Sequence, residues 1–313
     1  MEDEKTMKKS EQKRNNIKNY IKRYWQLYAL LICPILYFVI FKYGPMYGVI
    51  IAFKDFNIFA GIHDSPWIGM EIFKEVFASS EFYRALRNTF LLNLGDLVFS
   101  FPAPIILAIL LNELISVKVR RITQTILYIP HFLSWVIIAG IMYQIFASKG
   151  VINLIINAFG GQSINFLGNN VNWVIVYLLT GIWQSAGYGT IIYLAALTGV
   201  NPALYDAAYV DGANRFQRIW HVTLPSIANT ITILLVLQLG KIINISFERP
   251  YMLGNALVSE VAKVISTYVY QVGLEAGRFS FATAVGLFQS IVGLVMLITV
   301  NRIVKKMGQE GVM

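Results

Sequence analysis

Six stretches of roughly twenty residues are built almost wholly from apolar side chains, about the length a helix needs to cross hydrocarbon. They run at about 27–53, 88–111, 123–146, 173–197, 226–247 and 281–304. Inside a bilayer no water is present to satisfy backbone N–H and C=O groups, so each stretch is expected to be an α-helix. The fold class follows as an all-α polytopic membrane protein with six transmembrane helices. Composition agrees: 56% of the 313 residues are hydrophobic and 14% charged, against about 25% charged in an ordinary soluble domain. Pro34, Gly44 and Pro45 interrupt the first stretch, which is expected to stop near Phe41 and continue as an irregular or re-entrant piece.

A formal charge of +9 taken alone suggests nucleic acid, but its densest run, Lys5, Lys8, Lys9, Lys13, Arg14, Lys18, Lys22 and Arg23, directly precedes an apolar segment. Such a run anchors a chain on the cytoplasmic side. Six spans put both termini on one side. That side collects sixteen of the 26 lysines and arginines, and the other side eight, with Lys42 and Lys241 inside spans. The bias gives an N-in, C-in topology. The chain then divides into a basic cytoplasmic tail (1–24), a first transmembrane helix (25–53), an extracellular segment (54–87), a five-helix core (88–304) holding a cytoplasmic loop at 199–225, and a second cytoplasmic tail (305–313). The tail is too long and the next segment too long and aromatic for a cleaved signal peptide. The outer segments carry Trp67, Phe73, Phe77, Phe82, Tyr251, Tyr268 and Tyr270, enough apolar surface for short helices on the membrane or under a partner.

Several chemistries find no support. The single cysteine, Cys33, excludes a disulfide framework or cysteine metal site within one chain and reads as a packing residue. His63, His131 and His221 lie in different segments without metal-ligand spacing, so no metal site is expected. No nucleophile elbow occurs, so the chain is not expected to be an enzyme. No Gly-x-x-x-x-Gly-Lys-Ser/Thr sequence is present, so any nucleotide chemistry belongs to another chain.

One polar loop, from Tyr205 to Pro225, separates the fourth and fifth spans. Asn201-Pro202 suits a helix start and Ala207-Ala208 continue it; Gly212 permits a tight bend, and Phe216, Ile219 and Trp220 fall at the spacing of a second short apolar face. Two short helices at an angle are expected, with Pro225 restarting the chain into the next span. The small alanines allow close approach of a partner.

These residues resemble the EAA motif of permease subunits in binding-protein-dependent ABC importers: Asp206-Ala207-Ala208, Asp211-Gly212-Ala213, Ile219-Trp220 and Leu224-Pro225 keep its spacing. Phe41-Lys42-Tyr43-Gly44-Pro45-Met46-Tyr47-Gly48, Ala52-Phe53-Lys54-Asp55-Phe56, Arg87-Asn88-Thr89 and Leu111-Asn112-Glu113 are similar to the carbohydrate-uptake branch, the polysaccharide or oligosaccharide permeases of the LplB type. The resemblance implies a type I importer permease (MetI-like) core. It also implies a second, homologous permease subunit, two nucleotide-binding ATPase subunits that bind ATP and Mg, and an extracellular solute-binding lipoprotein delivering an oligosaccharide; no cofactor belongs to this chain. Asp206, Ala207, Ala208, Asp211, Gly212, Ala213, Arg215 and Phe216 are the implied ATPase-coupling surface. The family's leading acid is usually Glu; here Asp206 is one methylene shorter, and the alternative to docking is that it caps or solvates a helix start.

Inside the spans, Asp96 and Lys241 fall at similar depth. A lone charge near mid-bilayer costs roughly 2.5–3.5 kcal/mol on insertion scales, so each needs a partner or a wet cavity, and the two are expected to pair, to line the pathway separately, or to leave Lys241 snorkelling outward. Trp135, Tyr143, Trp183, Gln184, Tyr188, Tyr193, Gln238 and Asn244 offer aromatic faces and hydrogen bonds for a sugar pathway. The rival reading of the intramembrane charges is an ion-coupled secondary transporter, which often shows paired repeats; none is apparent.

Overall fold

The computed structural model describes residues 20 and 22–306. The tail positions Lys5 to Lys18 and residues 307–313 lie outside the described residues. Helices dominate, and among the described residues the β pairing is an isolated bridge between Lys54 and Trp67. The main helices are α1 (Trp25–Phe53), α2 (Glu71–Ala78), α3 (Ser80–Asn112), α4 (Val117–Tyr128), α5 (Trp135–Phe146), α6 (Val151–Ala158) and α7 (Asn170–Thr198). They continue as α8 (Pro202–Val210), α9 (Arg215–Gly240), α10 (Glu248–Leu253), α11 (Ile265–Tyr270) and α12 (Phe279–Lys306).

Five helical stretches among the described residues are long and apolar enough to cross a membrane: α1, α3, α5 with α6, α9 and α12. The expected fourth span, α7, has 29 residues, about 43 Å at 1.5 Å per residue. Thr180, Gly181, Gln184, Ser185, Gly187, Gly189 and Thr190 dilute its apolar character. That composition suits its place, because Thr180, Gly181, Gly187 and Thr190 are buried and α7 packs along Pro102–Asn112 of α3. At Gly187 an added Cβ would collide with the Leu127 carbonyl of α4. Gly187→Ala is therefore expected to force α4 away and cost about 1–3 kcal/mol of stability, read as a lower midpoint of thermal unfolding in detergent.

Three differences from the expected spans have physical causes. The first span does not stop near Phe41. It runs helically to Phe53, widening into a π-turn at Val39–Tyr43 and tightening into a 3-10 helix at Tyr47–Phe53. The third span is broken: Pro130 ends α4, Leu133 is extended, and Ser134 caps α5 by accepting from the Ile137 N–H. The fifth begins within the polar loop, at Arg215, and ends at Gly240, seven residues before its expected end. Three of the π-turns end just before a proline. Gly44, Phe101 and Leu224 each donate an N–H five residues back, to Val39, Asp96 and Ile219, and each precedes a proline. A proline ring in a helix clashes with the carbonyl four residues back, and the widened turn relieves that clash while keeping the helix continuous.

Packing is uneven along the chain. One core joins Leu92, Ile138, Met142, Trp173, Tyr177 and Leu253. A second joins Ala52, Phe73, Val76, Phe82, Ile265 and Phe281, where Arg278 also pairs with Glu75 of α2. A third, Ala108, Tyr193, Leu197 and Ile227, lies by the polar loop. From Trp25 to Met46 no residue is buried. Cys33 is exposed there, so its expected packing role is not met within this chain: no inward core reaches that half of α1.

Candidate functional site

The loop between α7 and α9 is ordered by a chain of local caps. Asn201 accepts from the Ala203 N–H at 3.0 Å and Pro202 occupies the first turn, so α8 starts there. It ends in a Schellman motif: Ala213 N–H donates to Ala208 O at 2.9 Å, Gly212 N–H donates to Tyr209 O at 3.1 Å, and Gly212 sits at φ +77°. That left-handed conformation favours glycine. Asn214 and Gln217 then form a reciprocal capping box, at 2.8 and 2.9 Å, which opens α9.

α9 is a single rod. Arg215–Arg218 continue through the π-turn Ile219–Thr223 into Leu224–Gly240, so Pro225 does not restart the chain as expected. Tyr205 of α8 meets the buried Thr223 of α9 hydroxyl to hydroxyl at 3.1 Å. A force on α8 thus reaches the rod through this contact and the Gly212 elbow.

Of the expected coupling residues, Asp206, Ala207, Asp211, Gly212, Arg215 and Phe216 are exposed, and Ala208 and Ala213 half-buried. The last two line a 340 Å³ cavity with Asp211, Gly212, Gln217, His221 and Val222. Val210 and Phe216 are each 84% exposed, an apolar surface that the chain itself leaves uncovered. Asp206 lies mid-helix and does not cap α8; Asn201 does.

The second site lies half-way along α3. Asp96, aimed by the π-turn Asp96–Ser100, does not pair with Lys241. Its partner is Arg249 of α10, a residue that the charge count places outside. Arg249 Nη1 donates to Asp96 Oδ2 at 2.9 Å and Nη2 to Oδ1 at 3.3 Å. Nη2 also donates to Tyr177 O at 2.6 Å, and Ser100 Oγ donates to Asp96 Oδ1 at 2.9 Å. The guanidinium lies 3.6 Å from the Tyr177 ring centroid and 5.8 Å from that of Trp135, a cation–π arrangement. Gly181 makes the space, since a Cβ there would overlap the guanidinium. Lys241 instead caps the end of α9 and is exposed: the helix stops where the sequence pattern continues.

Beyond Gly240 the chain leaves the helix while still inside the bundle, and polar side chains from four helices take its free carbonyls. Asn93 of α3 donates to Ile242 O at 2.8 Å, Gln289 of α12 to Ile243 O at 2.7 Å, and Trp173 of α7 to Leu253 O at 2.8 Å. Tyr143 of α5 donates to Leu253 O and Gly254 O, both at 3.3 Å. Non-helical backbone at this depth survives only where protein or a wet cavity satisfies it.

The remaining pathway candidates divide. Trp135 and Gln184 line one 390 Å³ cavity with His131, Ser134, Glu248 and Met252. Tyr188 stacks on His131 at 3.9 Å with the planes 4° apart. Trp183 lines a separate, apolar cavity with Met142 and Leu179, Tyr143 serves the backbone of the returning segment, and Tyr193 is buried in the third core. Gln238 is in the last turn of α9, and Asn244 lies just past it, its N–H donating to Lys241 O at 2.7 Å. Sequence reasoning missed Arg249, Tyr177, His131 and Glu248. The available signal was the charged pair Glu248-Arg249 before Pro250, closing an apolar run.

An elbow presenting apolar side chains at one end of the bundle and a polar cavity at its middle define a membrane transport component. Residues 84–309 match the family of binding-protein-dependent transport system inner membrane components, and the chain belongs to that family. It is a permease subunit, not an enzyme. It is 46% identical over 292 residues to Protein LplB of Bacillus subtilis (strain 168), covering 93% of this chain and 92% of that one. It is 44% identical over 306 residues to the polygalacturonan/rhamnogalacturonan transport system permease protein YteP of the same organism, covering 97% and 95%. Among solved structures, a chain of the bacterial alginate ABC transporter in complex with alginate pentasaccharide-bound periplasmic protein superposes with TM-score 0.86 at 41% identity, covering 94% of this chain and 99% of that one.

Proposed function

We propose that this chain is the membrane-spanning permease subunit of an ATP-driven importer of an oligosaccharide delivered by an extracellular solute-binding protein, coupled to a separate ATPase through α8 and the Gly212 elbow. The observation that carries the reading is the elbow: a capped, rigid helix pair joined hydroxyl to hydroxyl to the base of α9, with Tyr209, Val210, Phe216 and Trp220 left exposed. Exposed apolar surface of this kind marks a protein contact. The names of the relatives, all at 41–46% identity, support a sugar polymer fragment as the solute.

A second permease subunit fits the unburied apolar length of α1, which its own chain leaves bare. The lysine and arginine bias supports cytoplasmic termini, and taking Arg249 out of the outer count strengthens that support. The length of α7 supports counting it as a sixth span beside the five. The substrate pathway is assigned to the cavity of Trp135 and Gln184 beside the His131–Tyr188 stack. With Asp96 already neutralised by Arg249, the intramembrane charges give no support to an ion-coupled secondary transporter.

The test is purification from the native host. Co-elution of a second permease, an ATPase and a binding protein retaining an oligosaccharide is expected. Uptake that survives loss of every partner ATPase but collapses with the proton gradient would overturn the reading.

A further inference from the structure

We infer that the returning segment from Lys241 to Gly254 carries a solute contact of its own, with Glu248 as the residue that reads sugar hydroxyl groups. This rests on the proposed function above. Glu248 and Arg249 are adjacent but face opposite ways. Arg249 is 8% exposed and is held by Asp96, the Tyr177 carbonyl and the Tyr177 ring. Glu248 is exposed and lines the 390 Å³ cavity with Trp135, Gln184 and Met252.

Arg249 and Asp96 pair with each other behind the wall, so Glu248 is the carboxylate that the cavity lining presents, across from His131, Ser134 and Gln184. An ionised carboxylate is acceptor-only and can take two hydroxyl donors at once, and such charge-assisted bonds are the stronger kind. It suits a pyranose ring presenting adjacent hydroxyls and repels a uronate carboxylate placed at the same point. Any acidic group on the solute must therefore be read elsewhere. Asn93, Gln289, Trp173 and Tyr143 tie the segment's carbonyls to the surrounding helices, so the position of Glu248 is set by the bundle and not by the solute.

The single native cysteine makes the segment accessible to labelling. In a Cys33→Ser background of the assembled complex, E248C and M252C are expected to react with a membrane-impermeant thiosulfonate about tenfold faster than L253C, whose position is buried and reached only through local opening. An E248C variant no faster than L253C overturns the inference, and so does equal reaction at all three positions. In a second arm, uptake of the oligosaccharide released from the co-purified binding protein, at saturating binding protein, is expected to fall about tenfold in E248M and less in E248Q, which keeps one acceptor oxygen. Unchanged uptake in E248M overturns the inference even if the thiol at 248 is wet. If no complex co-purifies, the proposed function fails instead, a result the labelling rates in membranes keep separate.

Discussion

Gly212→Pro is expected to reduce transport to background and to disconnect ATP hydrolysis from it, while the protein still inserts in the membrane at wild-type level. Two defects coincide at this position. Proline fixes φ near −65°, whereas Gly212 sits at +77°. Proline also lacks the N–H that Gly212 donates to Tyr209 O at 3.1 Å. Losing both ends the Schellman motif, so the angle between α8 and the base of α9 is no longer specified, and the Tyr205–Thr223 contact is lost with it. A penalty of about 3 kcal/mol or more falls on an element outside the apolar spans, so insertion and bundle packing are untouched. Gly212→Ala separates the two defects. Nothing lies within 4 Å of an added Cβ, so alanine bears only the left-handed backbone cost of about 1–2 kcal/mol and should keep most of its transport. Paired measurements of uptake and ATPase rate in vesicles check both variants, and normal uptake in Gly212→Pro would sink the coupling role.

The elbow was legible in the sequence because its determinants are local. Asn201-Pro202 and Gly212 each act within a few residues, and their spacing says so directly; the Asn214–Gln217 box is equally local but was not read from the sequence. The spans were legible for a similar reason, being continuous apolar runs. What was not legible depends on long-range closure. The apolar pattern runs on past Gly240, and only the pegs from Asn93 and Gln289 on other helices explain why the backbone leaves the helix there. Without that turn Lys241 is the natural mate for Asp96 by depth; with it, Arg249 is carried to the carboxylate and Lys241 is left at the end of α9. Pro45 was read as an interruption and Pro225 as a restart, but at both, as at Pro102, the helix absorbs the proline by widening a turn. One of those widened turns begins at Asp96 itself, so the buried pair depends on Pro102, six residues on in sequence and silent about charge.

That dependence sets the second large effect. Asp96→Leu is expected to cost about 3–5 kcal/mol, because it leaves the Arg249 guanidinium buried and uncompensated. Arg249→Met is expected to cost a similar amount: Asp96 then keeps the Ser100 hydroxyl at 2.9 Å but loses its counter-charge. The double variant Asp96→Leu/Arg249→Met is expected to recover most of that loss, since replacing a buried pair by apolar groups of similar volume is often neutral, and a methionine can lie along the Tyr177 ring as the guanidinium does. Thermal unfolding of the purified complex would show each single change as a large drop and the double change as a small one. The same cycle with Lys241→Met in place of Arg249→Met is expected to be additive, because Lys241 is exposed at the end of α9 and shares no contact with the carboxylate. Non-additivity in the Lys241 cycle and additivity in the Arg249 cycle would reverse the assignment. The outcome also bears on mechanism: if the double variant is stable and transports normally, the ion pair serves to fix α10 against α3 and α7, and the polarity of the clasp matters only through the station it gives to Glu248.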